Sequence, residues 1–205
     1  MINKKTSYGH AILEGFEYLL SNYSEVFVIG QGLWSPWYVG NTMTNLDHKF
    51  GKERIIDTPV SEAAVTGAAL GASISGQRPI VVHPRIDFML YAMDAIVNQA
   101  AKWCYMFNGE SKVPLVIRMI IGRGWGQGPQ HSQSLHSWFA HIPGLKVIMP
   151  STPYDAKGML IAAVEDDNPV ICLEHRWLYN IKDKIPSKPY KVHLNKSKII
   201  KKGND

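Results

Sequence analysis

The sequence predicts an α/β fold: a three-layer sandwich in which a mostly parallel sheet carries helices on both faces. Two observations carry that prediction. The apolar runs "VFVIG", "PIVVH", "VPLVIRMII", "LKVIMP" and "PVICLEH" are short and do not alternate with polar residues, as befits strands covered on both sides. Segments with helical periodicity separate them, and a strand–helix alternation builds parallel sheets. With 205 residues, 45% hydrophobic and 19% charged, the chain has the composition of one large globular domain.

The elements follow in order. Residues 7–24 read as a helix with Ile12, Leu13, Phe16, Leu19 and Leu20 on one face. A strand at 26–30 ends in Gly30, and 31–50, broken by Gly and Pro and carrying Trp34 and Trp37, reads as a long loop. Ile55 and Ile56 form a short strand, 61–75 a helix of Ala, Gly and Val, and 79–83 a strand. A long amphipathic helix is predicted over 89–107, a strand over 113–121 and a Gly-rich loop over 122–130. Strands at 145–150 and 169–175 flank a helix at 153–166. There are no internal repeats.

The net charge of +5 belongs to one end. Residues 181–205 hold eight Lys against Asp183 and Asp205, a net of +6, which leaves about −1 for residues 1–180. The division predicts a folded domain over 1–180 and a basic linker over 181–205, rather than a nucleic-acid-binding face. Cys104 and Cys172 read as buried, reduced thiols. No apolar run spans a membrane and no export signal opens the chain, so a soluble cytoplasmic protein is expected.

In open parallel sheets, ligands bind beyond the carboxyl ends of the strands. Gly30-Gln31-Gly32, Asp57 to Glu62, His83 to Phe88, and 122–131 all fall there. Ser61 at the N-cap and Glu62 in the first turn are what helix capping alone would select. The convergence of four strand ends on Glu62 favours a chemical role, and the two roles are compatible. The loop "GRGWGQGPQHSQ" lacks the G-K-[ST] ending of a phosphate loop. It offers close backbone approach to a ligand and sets His131 at the start of the next helix, where the dipole favours a neutral ring. His131, His136 and His141, five residues apart, cannot share one metal on a helix. His83 and Arg85 are open to substrate contact or to rim salt bridges.

"DTPVSEAAVTGAALGASISGQRPIVV", "AMDAIVNQAAK", "VPLVIR", "QHSQS", "PGLKVIMPSTPYDAKG" and "EDDNPVICLE" occur in one order and spacing. Together they resemble the pyrimidine-binding domain of the beta subunit of thiamine-diphosphate-dependent 2-oxo-acid dehydrogenases, in the transketolase-like superfamily. The resemblance implies that Glu62 hydrogen-bonds a ring nitrogen of the cofactor's aminopyrimidine and favours its imino tautomer, which deprotonates the thiazolium carbon. A dry surround of Ala, Val and Gly would suit that carboxyl, and Gly67 and Gly71 would allow close helix packing. Phe88 falls at the position that stacks on the pyrimidine, and His131 at the active-site histidine. Gln31 stands at a cofactor-binding position where the family has the first acid of a Gly-Glu-Glu stretch, so one carboxylate is lost.

The resemblance further implies a structural potassium ion at the carbonyls of Leu115, Ala163 and Val164 with Asp166 and Asn168; a helix C-terminal turn explains the same residues. The family's pyrophosphate and magnesium motif, Gly-Asp-Gly, is absent here and lies on the alpha subunit. A partner of that type is therefore implied, in an α2β2 assembly, with a small 2-oxo acid as substrate and an acyltransferase component as a further partner. The chain stops where such beta subunits enter a C-terminal domain. A split transketolase-type enzyme acting on sugar phosphates is the alternative, kept open by Arg85 and Arg123. A non-catalytic assembly subunit of the same fold is the other.

Overall fold

A computed structural model describes residues 3–124, 126–196, 199 and 201–203. Six strands form one parallel sheet: β2 (Val26–Gly30), β3 (Ile55–Asp57), β4 (Arg78–His83), β5 (Val116–Ile121), β6 (Lys146–Ile148) and β7 (Val170–His175). Their spatial order is β3-β2-β4-β5-β7-β6. Residues of one strand alternate between two cores. Ile80, Val82, Val116 and Val170 pack with α1 (Tyr8–Asn22) and α7 (Pro153–Val164) on one face. Val81, Ile117, Met119 and Ile171 pack on the other face against α3 (Glu62–Ile74) and the helical stretch that follows β4. The expected three-layer arrangement is what forms.

Local chemistry fixes the helices. Ser7 caps α1 by accepting from the His10 amide, and Thr152 caps α7 by accepting from that of Asp155. Gly15 lets α1 lie against α7, since a Cβ there would sit 3.2 Å from Leu160 Cδ2. The stretch expected as one helix over 89–107 begins earlier and is irregular. It runs from α4 (Ile86–Met89) through a 3₁₀ turn at Leu90–Ala92 and a π-helical segment at Asp94–Ala100 into α5 (Ala101–Met106). The expected loop at 31–50 closes with α2 (Leu46–Phe50), and α6 (His136–Ala140) is a short helix before β6.

Two strands lie outside the main sheet. β1 (Asn3–Ser7) pairs antiparallel with β8 (Lys182–Pro186), where Ile185 is buried. Further on, Tyr190 stacks on Tyr154 at 4.5 Å and the Val192 amide donates to Gly158. The segment expected to be linker from 181 is thus packed on the body as far as these residues. Cys172 is buried, whereas Cys104 is only half-buried. Among the described residues no helix is long and apolar enough to cross a membrane.

Candidate active site

The carboxyl ends of β2, β3, β4, β5 and β7 gather the loops that carry the site. β2 and β4 lie so close that a Cβ on Gly30 would come within 2.4 Å of the Val82 carbonyl oxygen. Asp57, ending β3, folds the next loop over. Its carboxylate accepts from the amides of Gly32 at 2.6 Å and Trp34 at 3.4 Å, while Trp34 Nε1 donates to the Ile55 carbonyl. Gln31 and Tyr38 are thereby brought to the head of α3.

There Ser61 occupies the N-cap position, yet its side chain makes no capping bond. Glu62 opens the helix and is half-buried. Across from it, Phe88 on α4 meets His131 edge-to-face, with ring centroids 5.0 Å apart. His131 closes a single 3₁₀ turn, Pro129–His131, instead of heading a helix, so the expected helix-dipole effect on its ring does not apply.

Gln31, Glu62, Phe88 and His131, read from the sequence as one site, line one cavity of about 400 Å³. Tyr38, Val60, Pro84, Arg85, Gln127 and Arg176 complete the lining. Burial, helped by the charges of Asp57 and Glu62, pushes the Tyr38 hydroxyl up to about 12, so it remains a proton donor. A carboxyl group facing an aromatic ring and an imidazole is the donor set an aminopyrimidine needs, and the cavity fits that ring. The dry surround expected for Glu62 is not supplied by this chain: Ala63, Ala64, Gly67 and Ala68 are exposed, and nothing lies within 4 Å of a Cβ placed on Gly67 or Gly71.

Sequence reasoning missed Tyr38, Gln127 and Arg176. Arg176 closes the polar strand end "EHR" (174–176), which was its one available signal. The glycines at 122 and 124 also prove to serve the protein itself. A Cβ on Gly122 would strike His175, and one on Gly124 would lie 2.5 Å from Arg176 Cδ. Gly126 and Gly128 have open space around a Cβ and instead take positive φ, of 67° and 79°. His83, by contrast, is a structural residue: it is buried, its Nε2 lies 3.0 Å from Thr66 Oγ1, and burial drives its pKa down to about 4.

Of the five residues expected around a cation, Ala163, Val164, Asp166 and Asn168 lie at and just after the C-terminal end of α7, and Leu115 just before β5. Val164 and Asp166 carbonyls accept from Arg78 Nη1 at 2.8 and 3.1 Å, and that of Leu115 accepts from the Val170 amide. The Asp166 carboxylate accepts from Asn168 and pairs with Lys146. Oxygens of this kind suit a hard cation, and in this structure Arg78 and Lys146 bring the positive charge to them. Among the described residues no three His, Cys, Asp or Glu side chains gather to hold a metal ion.

Comparison with known proteins is consistent with this geometry. Residues 4–182 match the family described as "Transketolase, pyrimidine binding domain". The chain is 48% identical over 153 residues to the beta subunit of acetoin:2,6-dichlorophenolindophenol oxidoreductase from Cupriavidus necator, covering 75% of this chain and 45% of that protein. It is 40% identical over 195 residues to the pyruvate dehydrogenase E1 component subunit beta of Gracilaria tenuistipitata, covering 95% and 60%. The 2-oxoisovalerate dehydrogenase subunit beta of Bacillus subtilis is 40% identical over 183 residues, covering 89% and 56%. The chain spans about half the length of the curated relatives it matches. Its fold is similar to that of a solved structure titled "Split gene transketolase, inactive beta4 tetramer", with a TM-score of 0.62 at 22% identity over 82% of this chain and 50% of that one.

Proposed function

Because the chain belongs to the transketolase pyrimidine-binding-domain family, we propose that it is the beta-subunit-like half of a thiamine-diphosphate-dependent 2-oxo-acid decarboxylase or dehydrogenase. The observation that carries this reading is the meeting of Glu62, Phe88 and His131 around one cavity at the strand ends. Thiamine diphosphate, when bound, supplies the nucleophilic carbon and the electron sink of decarboxylation. Glu62 holds a proton at a ring nitrogen of the aminopyrimidine. Phe88 would offer an apolar face to that ring, and its edge-to-face contact with His131 fixes both side chains. His131, lining the same cavity, would serve as a proton donor and acceptor there, and the Tyr38 hydroxyl would remain a donor.

Pyrophosphate and magnesium belong, on this reading, to an alpha-type partner that closes the exposed Ala and Gly face of α3 and dries the Glu62 carboxyl. The remaining parts of the proposal are a small 2-oxo acid, an acyltransferase acceptor, a cytoplasmic setting and a potassium ion at the α7 turn. A melting temperature higher in potassium chloride than in choline chloride checks the last of these.

Calorimetric titration of magnesium and thiamine diphosphate, on this chain alone and with the alpha-type partner, tests the central claim. Binding that needs both chains and weakens at least tenfold in Glu62→Gln is the expected result. No binding in either case overturns it and leaves an assembly role for the fold.

A further inference from the structure

The turn that carries Tyr38 to the active site is strained. Val39, Gly40 and Asn41 take left-handed backbone in succession, with φ of 52°, 69° and 61°. A β-branched residue rarely adopts that conformation, and such outliers persist only where their surroundings impose them. Here the core imposes it. Thr42 Oγ1 donates to the Val39 carbonyl at 2.7 Å and accepts from buried Arg118 at 2.8 Å. Gly40 lies against the Tyr179 ring, where a Cβ would come within 2.6 Å of Cγ, and the Tyr179 hydroxyl is tied to Glu174 at 2.8 Å.

The product of that strain is a second cavity, of about 310 Å³. Trp37, Tyr38, Val39, Ile120 and Tyr179 line it, so aromatic and aliphatic carbon dominates its surface. It shares Tyr38, Pro84 and Arg176 with the active-site cavity, and the two therefore adjoin. Arg176, the one charged residue of its lining among the described residues, stands at the junction, where its Nη1 donates to Gln127 of the first cavity. Glu62, Phe88 and His131 do not line the second cavity, so it lies beside the reacting centre and not within it.

Size and chemistry narrow the occupant. About 150 Å³ of apolar cavity suffices for a benzene ring, whereas the methyl group of the smallest 2-oxo acid with a side chain would leave most of this space to water. Indole and phenol rings favour aromatic partners in offset or edge-to-face geometry. Trp37 is 77% exposed, and its ring is the apolar surface here with the most area still to bury.

We infer that the second cavity is a subsite for the side chain of the oxo acid, that the group it takes is aromatic, and that Trp37 and Tyr38 are the residues that select it. The inference deepens the function proposed above and rests on it for the identity of the reaction.

Calorimetric titration of the full 205-residue chain, repeated in complex with its alpha-type partner, tests the subsite with three unreactive carboxylates: 3-phenylpropionate, 4-methylpentanoate and propionate. In the complex 3-phenylpropionate is expected to bind at least tenfold more tightly than propionate, as burial of one ring allows, with 4-methylpentanoate between them. Trp37→Ala removes a ring from the lining, and Asn180→Trp fills the cavity from an exposed position; each is expected to cut the preference at least fivefold at an unchanged melting temperature. Trp37→Phe, which keeps an aromatic face, is expected to retain most of it. Equal binding or no binding of the three, tightest binding of 4-methylpentanoate, or a preference that survives both Trp37→Ala and Asn180→Trp overturns the inference. Glu62→Gln is expected to leave the preference intact while abolishing cofactor binding, so the two proposals fail separately.

Discussion

Polar groups are treated in opposite ways in the body of this domain and at the mouth of its sheet. In the body, Arg118 on β5 is fully buried. It pairs with both carboxylate oxygens of Glu174 and donates to Thr42 at 2.8 Å, and the Tyr179 hydroxyl donates to the same carboxylate at 2.8 Å. At the mouth, Arg85 donates to the Gly122 carbonyl and to the Gln127 amide oxygen, which also accepts from Arg176. A cation closed by a carboxylate serves the fold.

The largest expected effect sharpens that contrast. Glu174→Ala leaves the Arg118 charge buried without its partner, and such losses run to about 3–5 kcal/mol. Arg176→Gln alters a half-buried side chain on the cavity wall and is expected to cost less than about 1 kcal/mol. Urea unfolding midpoints of the two variants measure both. Equal destabilisation would mean that Arg176 is as structural as Arg118, and the division between body and mouth would fail.

His83 gives the next effect, at the boundary between the two regions. Its pKa falls from 6.5 to about 4 on folding because the ring is buried beside the neutral Thr66 hydroxyl. Above pH 6.5 the ring is neutral in both states and costs nothing. Between 6.5 and 4 the unfolded chain binds a proton that the folded chain refuses, so stability falls with acid across that window, by about 3 kcal/mol at most. The carboxylates held low by their cation partners, Glu14, Asp166 and Asp167, lose their contribution at still lower pH. His83→Gln is therefore expected to flatten the stability profile between pH 6.5 and 4 only. An unchanged profile would show that the ring ionises freely in the folded state.

What the sequence disclosed follows the same division. The sheet was legible because β2, β4, β5, β6 and β7 are apolar runs whose burial leaves one reading open. β1 and β8 were not, since "NKKTS" and "KDKIP" are charged ribbons that pair with each other outside the core. Within the site, Gln31, Glu62, Phe88 and His131 were legible because a family pattern fixes their spacing. Arg176 and Gln127 belong to no such pattern, and only the fold brings the end of β7 against the loop after β5. The helix after β4 was read as regular because its Ala, Val and Met content is helix-compatible; the extra residue per turn over Asp94–Ala100 leaves no mark in composition.

The smallest expected effect concerns two helix starts that look alike in sequence. Thr152 heads α7 in the body and accepts from the Asp155 amide at 3.1 Å, so Thr152→Ala is expected to cost about 1 kcal/mol. Ser61 heads α3 at the mouth with φ −163° and no capping bond from its side chain, so Ser61→Ala is expected to cost no more than a few tenths. Thermal melts of the two variants decide between them. Capping alone would account for Ser61 and Glu62 if both changes cost the same, and the chemical assignment of Glu62 would lose its local support. A cost confined to Thr152 leaves the head of α3 without a side-chain cap in the isolated chain, with Glu62 lining the cavity.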